Sequence, residues 1–473
     1  MGRYRAYGGT VTPLSWYHKK MSSFAVNPFP STGLEVVRDP LKGRCFVATR
    51  EIRCGTVLYE ERVFVGASAD LNDQNALLQH VYGENAVSYV DAISDFEKVA
   101  SADTAKCLLM LIIIKYYQKT NRLPELCFYY NQDELANYLL LLGELKGFNE
   151  TACIQDISDI REEYPDIIPP IITDEEAGQL LAILNTNQIE LDSMACGGSA
   201  LFVGTAIMEH SCAPNASFSS IGNTLYMTAI RDITIHEHVS IDYGNNYYRP
   251  TCERRELLYE TYGFYCQCEL CSGIDLTRPF QCKKCKTGTI FPCGTESSTY
   301  SNCNSCQLPA EKKHIKQWTE KEEYYLNNMP TAEEEITQIL EANILGNNHY
   351  IIFWSINDLG MAMLSEARSF KGSSTAITCY QSAFRLLAKA YELLNNMIPE
   401  VHHERVVCLD RLAQICVALG DRDRAKQYYH EAYRINAVCV GPNIASTQQL
   451  YNLCTNPPTS IAEMMSIYNN SQK

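Results

Sequence analysis

The sequence predicts an α+β chain: small β-sheets split by a helical insertion lead through a cysteine-rich segment into an all-α C-terminal domain. Three observations carry this. Short β-branched runs broken by turns fill residues 33–69, and strand character returns only in residues 196–250. Helical spacing fills the interval between them, residues 70–195. Cysteines crowd residues 251–312, and residues 313–473 keep a helical period throughout.

Residues 1–32 hold Gly8-Gly9, Pro13, Pro28 and Pro30 without periodicity and read as an N-terminal extension or poorly ordered arm. From Gly33 the runs Leu34 to Val37, Cys45 to Ala48 and Val57 to Tyr59 alternate with turns at Asp39-Pro40 and Cys54-Gly55, which makes a small meander. The insertion is read from Cys107 to Tyr117 and Glu134 to Leu145, with Pro169-Pro170 as a breaker before Glu175 to Leu184. Strands are expected again at Ala216 to Ser219, Leu225 to Ala229 and His238 to Ile241, the first two joined at the Gly222-Asn223 hairpin signal.

Cys266, Cys268 and Cys271 are spaced so that three sulfurs can converge on one ion. A tetrahedral zinc site needs a fourth ligand, and Cys212 in His210-Ser-Cys-Ala-Pro-Asn215 is the obvious donor. Residues 251–275 would then be tied back to the strand module. A second set, Cys282, Cys285, Cys303 and Cys306 in residues 276–312, has paired C-x-x-C knuckles and reads as a further zinc site, with Cys293 as a substitute ligand. His236 and His238 share one strand face, yet no third metal ligand stands near them in the sequence.

In the helical domain Leu409, Leu412, Ile415 and Leu419 line one helix, Gly420-Asp421 makes a corner, and Ala425, Tyr429 and Ala432 lie on the next. That pattern is a tetratricopeptide-like (TPR-like) hairpin, and a stack of them offers a surface for a protein partner. The alternative is a bundle that only buttresses the first domain.

A formal charge of −15 argues against direct binding of nucleic acid, which takes clustered Lys and Arg, and favours basic protein segments. Twenty-one cysteines in metal-type spacing, without a visible secretory leader, lead us to expect reduced thiols and a cytoplasmic or nuclear location. The longest apolar runs, Cys107 to Ile114 and Tyr138 to Leu142, fall short of the ~20 residues that span a bilayer, so no membrane association is expected. The chain is expected to be a monomer.

Several stretches together resemble a SET-domain protein-lysine methyltransferase, specifically the SMYD (SET and MYND) family with its arthropod-type members. They are Glu209-His-Ser-Cys-Ala-Pro-Asn215, His238-Val-Ser-Ile-Asp-Tyr243, Cys252 to Tyr262 and Tyr262 to Cys271. The resemblance spans roughly residues 33–460. It implies a SET β-clip fold of small knotted sheets, a post-SET zinc segment, and S-adenosylmethionine as the methyl donor to a lysine of a protein or peptide. It also implies catalytic roles for Tyr243, Tyr262 and Phe264, and cofactor contacts at Lys42, Gly43, Arg44, Asn187, Glu209, His210, Tyr243 and Phe264.

Three positions depart from the family pattern. Cys45 stands where a second loop glycine is usual, so strain or loop displacement is expected there. Glu209 replaces an asparagine and would repel a cofactor carboxylate. His236 replaces a turn glycine, a milder change. With His80 alone among Cys and His between Cys54 and Cys107, the MYND zinc module is missing. An active methyltransferase and a catalytically impaired scaffold that binds partners through its C-terminal helices are thus the two readings.

Overall fold

The computed structural model describes residues 28–29, 32–40, 42–66, 89–128, 132–191, 198–244, 247–294, 299–370 and 374–470. Most of the N-terminal arm and the stretch around His80 lie outside them. Strand β1 (Leu34–Asp39) turns into β2 (Gly43–Ala48) through Gly43, whose φ of +80° is left-handed and suits glycine. The Asp39 carboxylate holds this turn by accepting from the Lys42 amide at 2.9 Å.

Strands β3 (Val57–Arg62) and β4 (Val65–Gly66) follow. After the insertion come β5 (Gln188–Leu191), β6 (Gly198–Leu201), β7 (Glu209–His210), β8 (Ala216–Ile221), β9 (Thr224–Ala229) and β10 (His238–Ile241). They form three small sheets, ordered β1-β2-β10-β7, β3-β9-β8 and β4-β6-β5. In the first, β10 lies antiparallel to β2 and parallel to β7, so it seats residues 238–241 between both halves of the split module.

Helices occupy Tyr89–Phe96, Ala102–Lys119, Gln132–Leu142, Glu150–Glu163 and Asp174–Asn187. The second starts where the Ser101 side chain accepts from the Thr104 amide, and its Cys107 to Ile114 run is buried on every face. That explains an apolar run without amphipathic spacing: this helix is the core of the insertion. The last begins with a capping box of Thr173 and Glu176.

The expected insertion of residues 70–195 therefore ends early. Its last helix stops at Asn187, and residues 188–191 already belong to a sheet. Strands β5, β6 and β7 were also not expected, because they are two to four residues long and too short for a period-2 pattern to register. The arm is anchored at its end, where the Phe29 ring stacks on Tyr59 with centroids 3.7 Å apart.

Glu61 on β3 is buried and accepts at 2.7 Å from the Gly204 amide, the Thr205 amide and the Thr205 hydroxyl. It thereby fixes the turn that leads into β7. Burial pushes its pKa up to about 7 against the pull of those donors. Glu61→Ala would leave the three donors unmet, and we expect a loss of about 2–4 kcal/mol in chemical denaturation.

The C-terminal domain is helical from Lys312–Asn327 to Ile461–Asn470. The expected hairpin is present: His403–Ala418 and Arg422–Cys439 meet at Gly420, φ +76°, with Ala425, Tyr429 and Ala432 fully buried between them. This domain docks directly on the strand module. Ser219 of β8 donates to the Val440 carbonyl at 2.7 Å, and Tyr248 stacks on Phe353 with centroids 3.9 Å apart. Among the described residues no helix is long and apolar enough to cross a membrane.

Arg278, which follows the first cysteine set, makes a bidentate pair with the buried Glu322 at 2.8 and 2.6 Å. His349 Nε2 lies 3.2 Å from the same carboxylate, though outside hydrogen-bond geometry. Burial raises the Glu322 pKa, but Arg278 and His349 outweigh it and hold the pKa at about 2. With the folded value depressed, the stabilisation is present above the unfolded pKa near 4.5 and fades as pH falls towards 2. The advantage of wild type over Glu322→Gln, about 3 kcal/mol at neutral pH, should shrink through that window in denaturation curves.

Candidate functional site

Helix Thr251–Tyr262 ends at Gly263, φ +76°, and this sharp stop sends Phe264 and the following cysteines back towards β7. The sulfurs of Cys212, Cys266, Cys268 and Cys271 all lie within 4.8 Å of one another, with Cys212 and Cys271 at 3.6 Å. A tetrahedral ion with ~2.3 Å zinc–sulfur bonds needs sulfurs about 3.8 Å apart, so the donor set fits zinc. The buried Arg254 donates to Cys271 at 3.6 Å and favours the thiolate.

The second set fits equally well. Cys282 and Cys306 are 3.8 Å apart, Cys285 and Cys303 3.6 Å, and the four form one cluster. Cys293 stays outside it, 3.8 Å from the Phe291 carbonyl, so it is not a substitute ligand. Gly288 is required here, because a Cβ would lie 2.5 Å from the Cys303 sulfur.

The first knot gathers the aromatic residues. Tyr243 sits at the end of β10, where its hydroxyl donates to the Met208 carbonyl and its amide donates to His210 Nδ1 at 3.1 Å. The Tyr262 hydroxyl donates to the Tyr243 carbonyl at 3.1 Å. Ring centroids of Tyr243 and Tyr262 are 4.8 Å apart, and Phe264 stands edge-on to Tyr243 at 6.3 Å. Burial, then the neighbouring Tyr262 and Glu209, push the Tyr243 hydroxyl well above its ordinary pKa, so it acts as a neutral donor.

His210 joins the two parts. Burial lowers its pKa to about 4, so the ring is neutral at neutral pH. Because Nδ1 accepts from Tyr243, the assigned tautomer carries its proton on Nε2, 3.3 Å from the Cys212 sulfur. A sulfur of the first cysteine cluster is thus coupled to the backbone of Tyr243.

Phe148 of the insertion packs against Gly263, with its ring edge-on to Tyr259. A Cβ on Gly263 would lie 2.3 Å from its ring, between Tyr262 and Phe264. Gly263→Ala combines that clash with a left-handed φ, and we expect it to cost about 2–4 kcal/mol in thermal or chemical denaturation.

Four of the residues expected to touch a cofactor fall into two pairs. Lys42 and Glu209 meet at 2.9 Å, and the other Glu209 oxygen lies 3.1 Å from His238 Nδ1. Burial opposes both charges, but their pairing prevails: the Lys42 pKa is raised and the Glu209 pKa lowered. The repulsion expected of Glu209 is therefore corrected, since the Lys42 ammonium pairs with its carboxylate.

Arg44 and Asn187 instead hold the insertion. Arg44 binds the Glu144 carboxylate at 2.8 Å and the Glu144 carbonyl at 3.0 Å. The Asn187 amide donates to Ile183 at 2.9 Å and weakly to Lys146 at 3.4 Å. Both brace the chain leading to Phe148.

The strain expected at Cys45 is absent. Cys45 pairs with Val37 in the β1–β2 ladder and is not among the positive-φ residues, so the backbone needs no glycine there. His236 does adopt a glycine-like φ of +67°, in the turn before β10 rather than on the strand with His238. Sequence reasoning missed Phe148, the Met208 carbonyl and the meeting of Cys45, Glu209 and His238. Only the last left a trace, in the noted His238.

Comparison with known proteins agrees with this geometry. Residues 43–244 match the SET domain model, so the chain carries a SET domain, and in sequence it is SMYD-like. N-lysine methyltransferase SMYD2-A of Danio rerio is 29% identical over 170 residues, 35% of this chain and 37% of that protein. N-lysine methyltransferase SMYD2 of Gallus gallus is 31% identical over 126 residues, 26% of this chain and 27% of the relative. A putative SET domain-containing protein, L678 of Acanthamoeba polyphaga mimivirus, is 38% identical over 78 residues, 16% of this chain and 30% of that protein. The matched segments span about a third of these curated relatives. Among solved structures, the SET domain of LSMT bound to lysine and AdoHcy aligns over 93% of this chain and 84% of that one. At 12% identity and a TM-score of 0.30, the superposition carries no argument.

Proposed function

We propose that this chain transfers a methyl group from S-adenosylmethionine to a lysine side chain of a protein substrate. The observation that carries the reading is the convergence of Tyr243, Tyr262, Phe264 and His210 at the end of β10, held by the first cysteine knot. Bound there, S-adenosylmethionine supplies an electrophilic methyl on a cationic sulfonium. The aromatic faces favour that cation and the aliphatic stem of a lysine. Their low polarity disfavours an ammonium, so the incoming lysine amine is more readily neutral and able to attack. The Tyr243 hydroxyl, neutral and fixed on the Met208 carbonyl, orients what lies at the inner end.

Lys42 and Glu209 carry opposite charges that suit the carboxylate and ammonium of an amino-acid group. The site residues thus fit the cofactor. The test is incubation of the full chain with labelled S-adenosylmethionine and a protein pool, followed by mass spectrometry of the labelled side chain. Label on lysine supports the reading; no label on any lysine overturns it.

One observation favours a scaffold that has lost turnover: Lys42, Arg44 and Asn187 are all engaged by partners within the protein. In that case the C-terminal helices supply the function by binding a protein partner. Methylated lysine that disappears in a Tyr243 variant rules this out.

A further inference from the structure

Beyond the two tetracysteine sets, one more group of metal-type side chains converges in the described residues. Cys45 of β2, His238 of β10 and Glu209 of β7 come from three adjacent strands of one sheet. A sulfur, an imidazole nitrogen and a carboxylate oxygen there all lie within 4.8 Å of one another. We propose that Cys45, Glu209 and His238 form a third metal site, for a borderline divalent ion of the Zn²⁺ class, with its fourth position open. The site shares Glu209 with the methyl-transfer reading, but metal counting tests it without any activity measurement.

The geometry carries it on four counts. A thiolate, an imidazole and a carboxylate are the donors that such an ion accepts together, and three protein ligands are the number that leaves a tetrahedral position free. The 3.1 Å between Glu209 Oε2 and His238 Nδ1 is close to the roughly 3.3 Å that two ligand atoms keep on an ion with ~2.0–2.1 Å bonds. The supporting residues sit on paired strands, which fixes their spacing without loop rearrangement. There is also an entry path on the His238 side, where the side chain is 36% exposed, while Cys45 and Glu209 are buried.

Lys42 is the group that argues the other way, since an ammonium beside Glu209 repels a cation. It binds Glu209 Oε1, however, and leaves Oε2 to face His238. It can stay as an outer partner that orients the carboxylate, or swing into solvent from its 43% exposed position. Binding releases the thiol proton of Cys45 to solvent, as any thiolate–metal bond requires.

The test is metal counting on the full chain. The chain is equilibrated with Zn²⁺, passed through a desalting column, and analysed by elemental mass spectrometry; a parallel titration uses Co²⁺. We expect three ions per wild-type chain, and two in both Cys45→Ser and His238→Gln, with unchanged far-UV circular dichroism. The third Co²⁺ equivalent should add a thiolate-to-cobalt absorption band that Cys45→Ser lacks. Two ions in the wild type, or three retained in both variants, overturns the proposal.

Discussion

Tyr243→Phe is expected to lower the proposed methyl transfer to a lysine substrate by about 10²–10³-fold, the usual effect of removing one positioned hydrogen-bond donor from a dry reaction site. The variant keeps the ring, so its stacking on Tyr262 and its edge contact with Phe264 remain. Only the bond from its hydroxyl to the Met208 carbonyl is lost. That bond is worth about 1 kcal/mol, so the melting temperature should move by no more than a few degrees. Initial rates with labelled S-adenosylmethionine and denaturation curves, measured on the same preparation, separate the two effects. A rate within about threefold of wild type would remove Tyr243 from the reaction.

The second large effect is loss of the first cysteine knot. Cys266→Ser leaves three sulfurs of the cluster, and a strong chelator leaves all four gathered without the ion that their spacing fits. Metal binding at such sites contributes directly to folding, and we expect destabilisation of several kcal/mol concentrated in residues 262–271. His210 should report it: its Nε2 faces the Cys212 sulfur, and its Nδ1 holds the Tyr243 amide. Proteolysis between Tyr262 and Cys271 should therefore accelerate together with loss of activity. Cys293→Ser serves as the control, because Cys293 lies outside both clusters and should leave stability and metal content unchanged.

Much of this was legible in the sequence, for identifiable physical reasons. Cysteine spacing is a strong local signal, and it located both four-sulfur clusters, including the distant Cys212. The hairpin around Gly420 was readable because its small and aromatic contacts recur at helical spacing across one turn. By contrast, β7 is two residues long, and its parallel pairing with β10 depends on chain threading that periodicity does not record.

The errors at Cys45 and Glu209 share one cause. Taken singly each looks out of place, whereas the sheet puts them beside His238 and beside Lys42, which pairs with Glu209. Phe148 left no signal at all, since its effect depends on what a Cβ at Gly263 would meet, far away in sequence. Arg44 and Asn187 likewise carry the right chemistry for a ligand but are directed at the insertion.

Cofactor binding by the full chain, followed by titration calorimetry with S-adenosylmethionine, tests the central claim most directly. The site around Lys42, Glu209, His210 and Tyr243 predicts saturable heat with one equivalent per chain, displaced by S-adenosylhomocysteine. No detectable heat at millimolar cofactor, from protein that still holds the metal of both tetracysteine clusters, would contradict it.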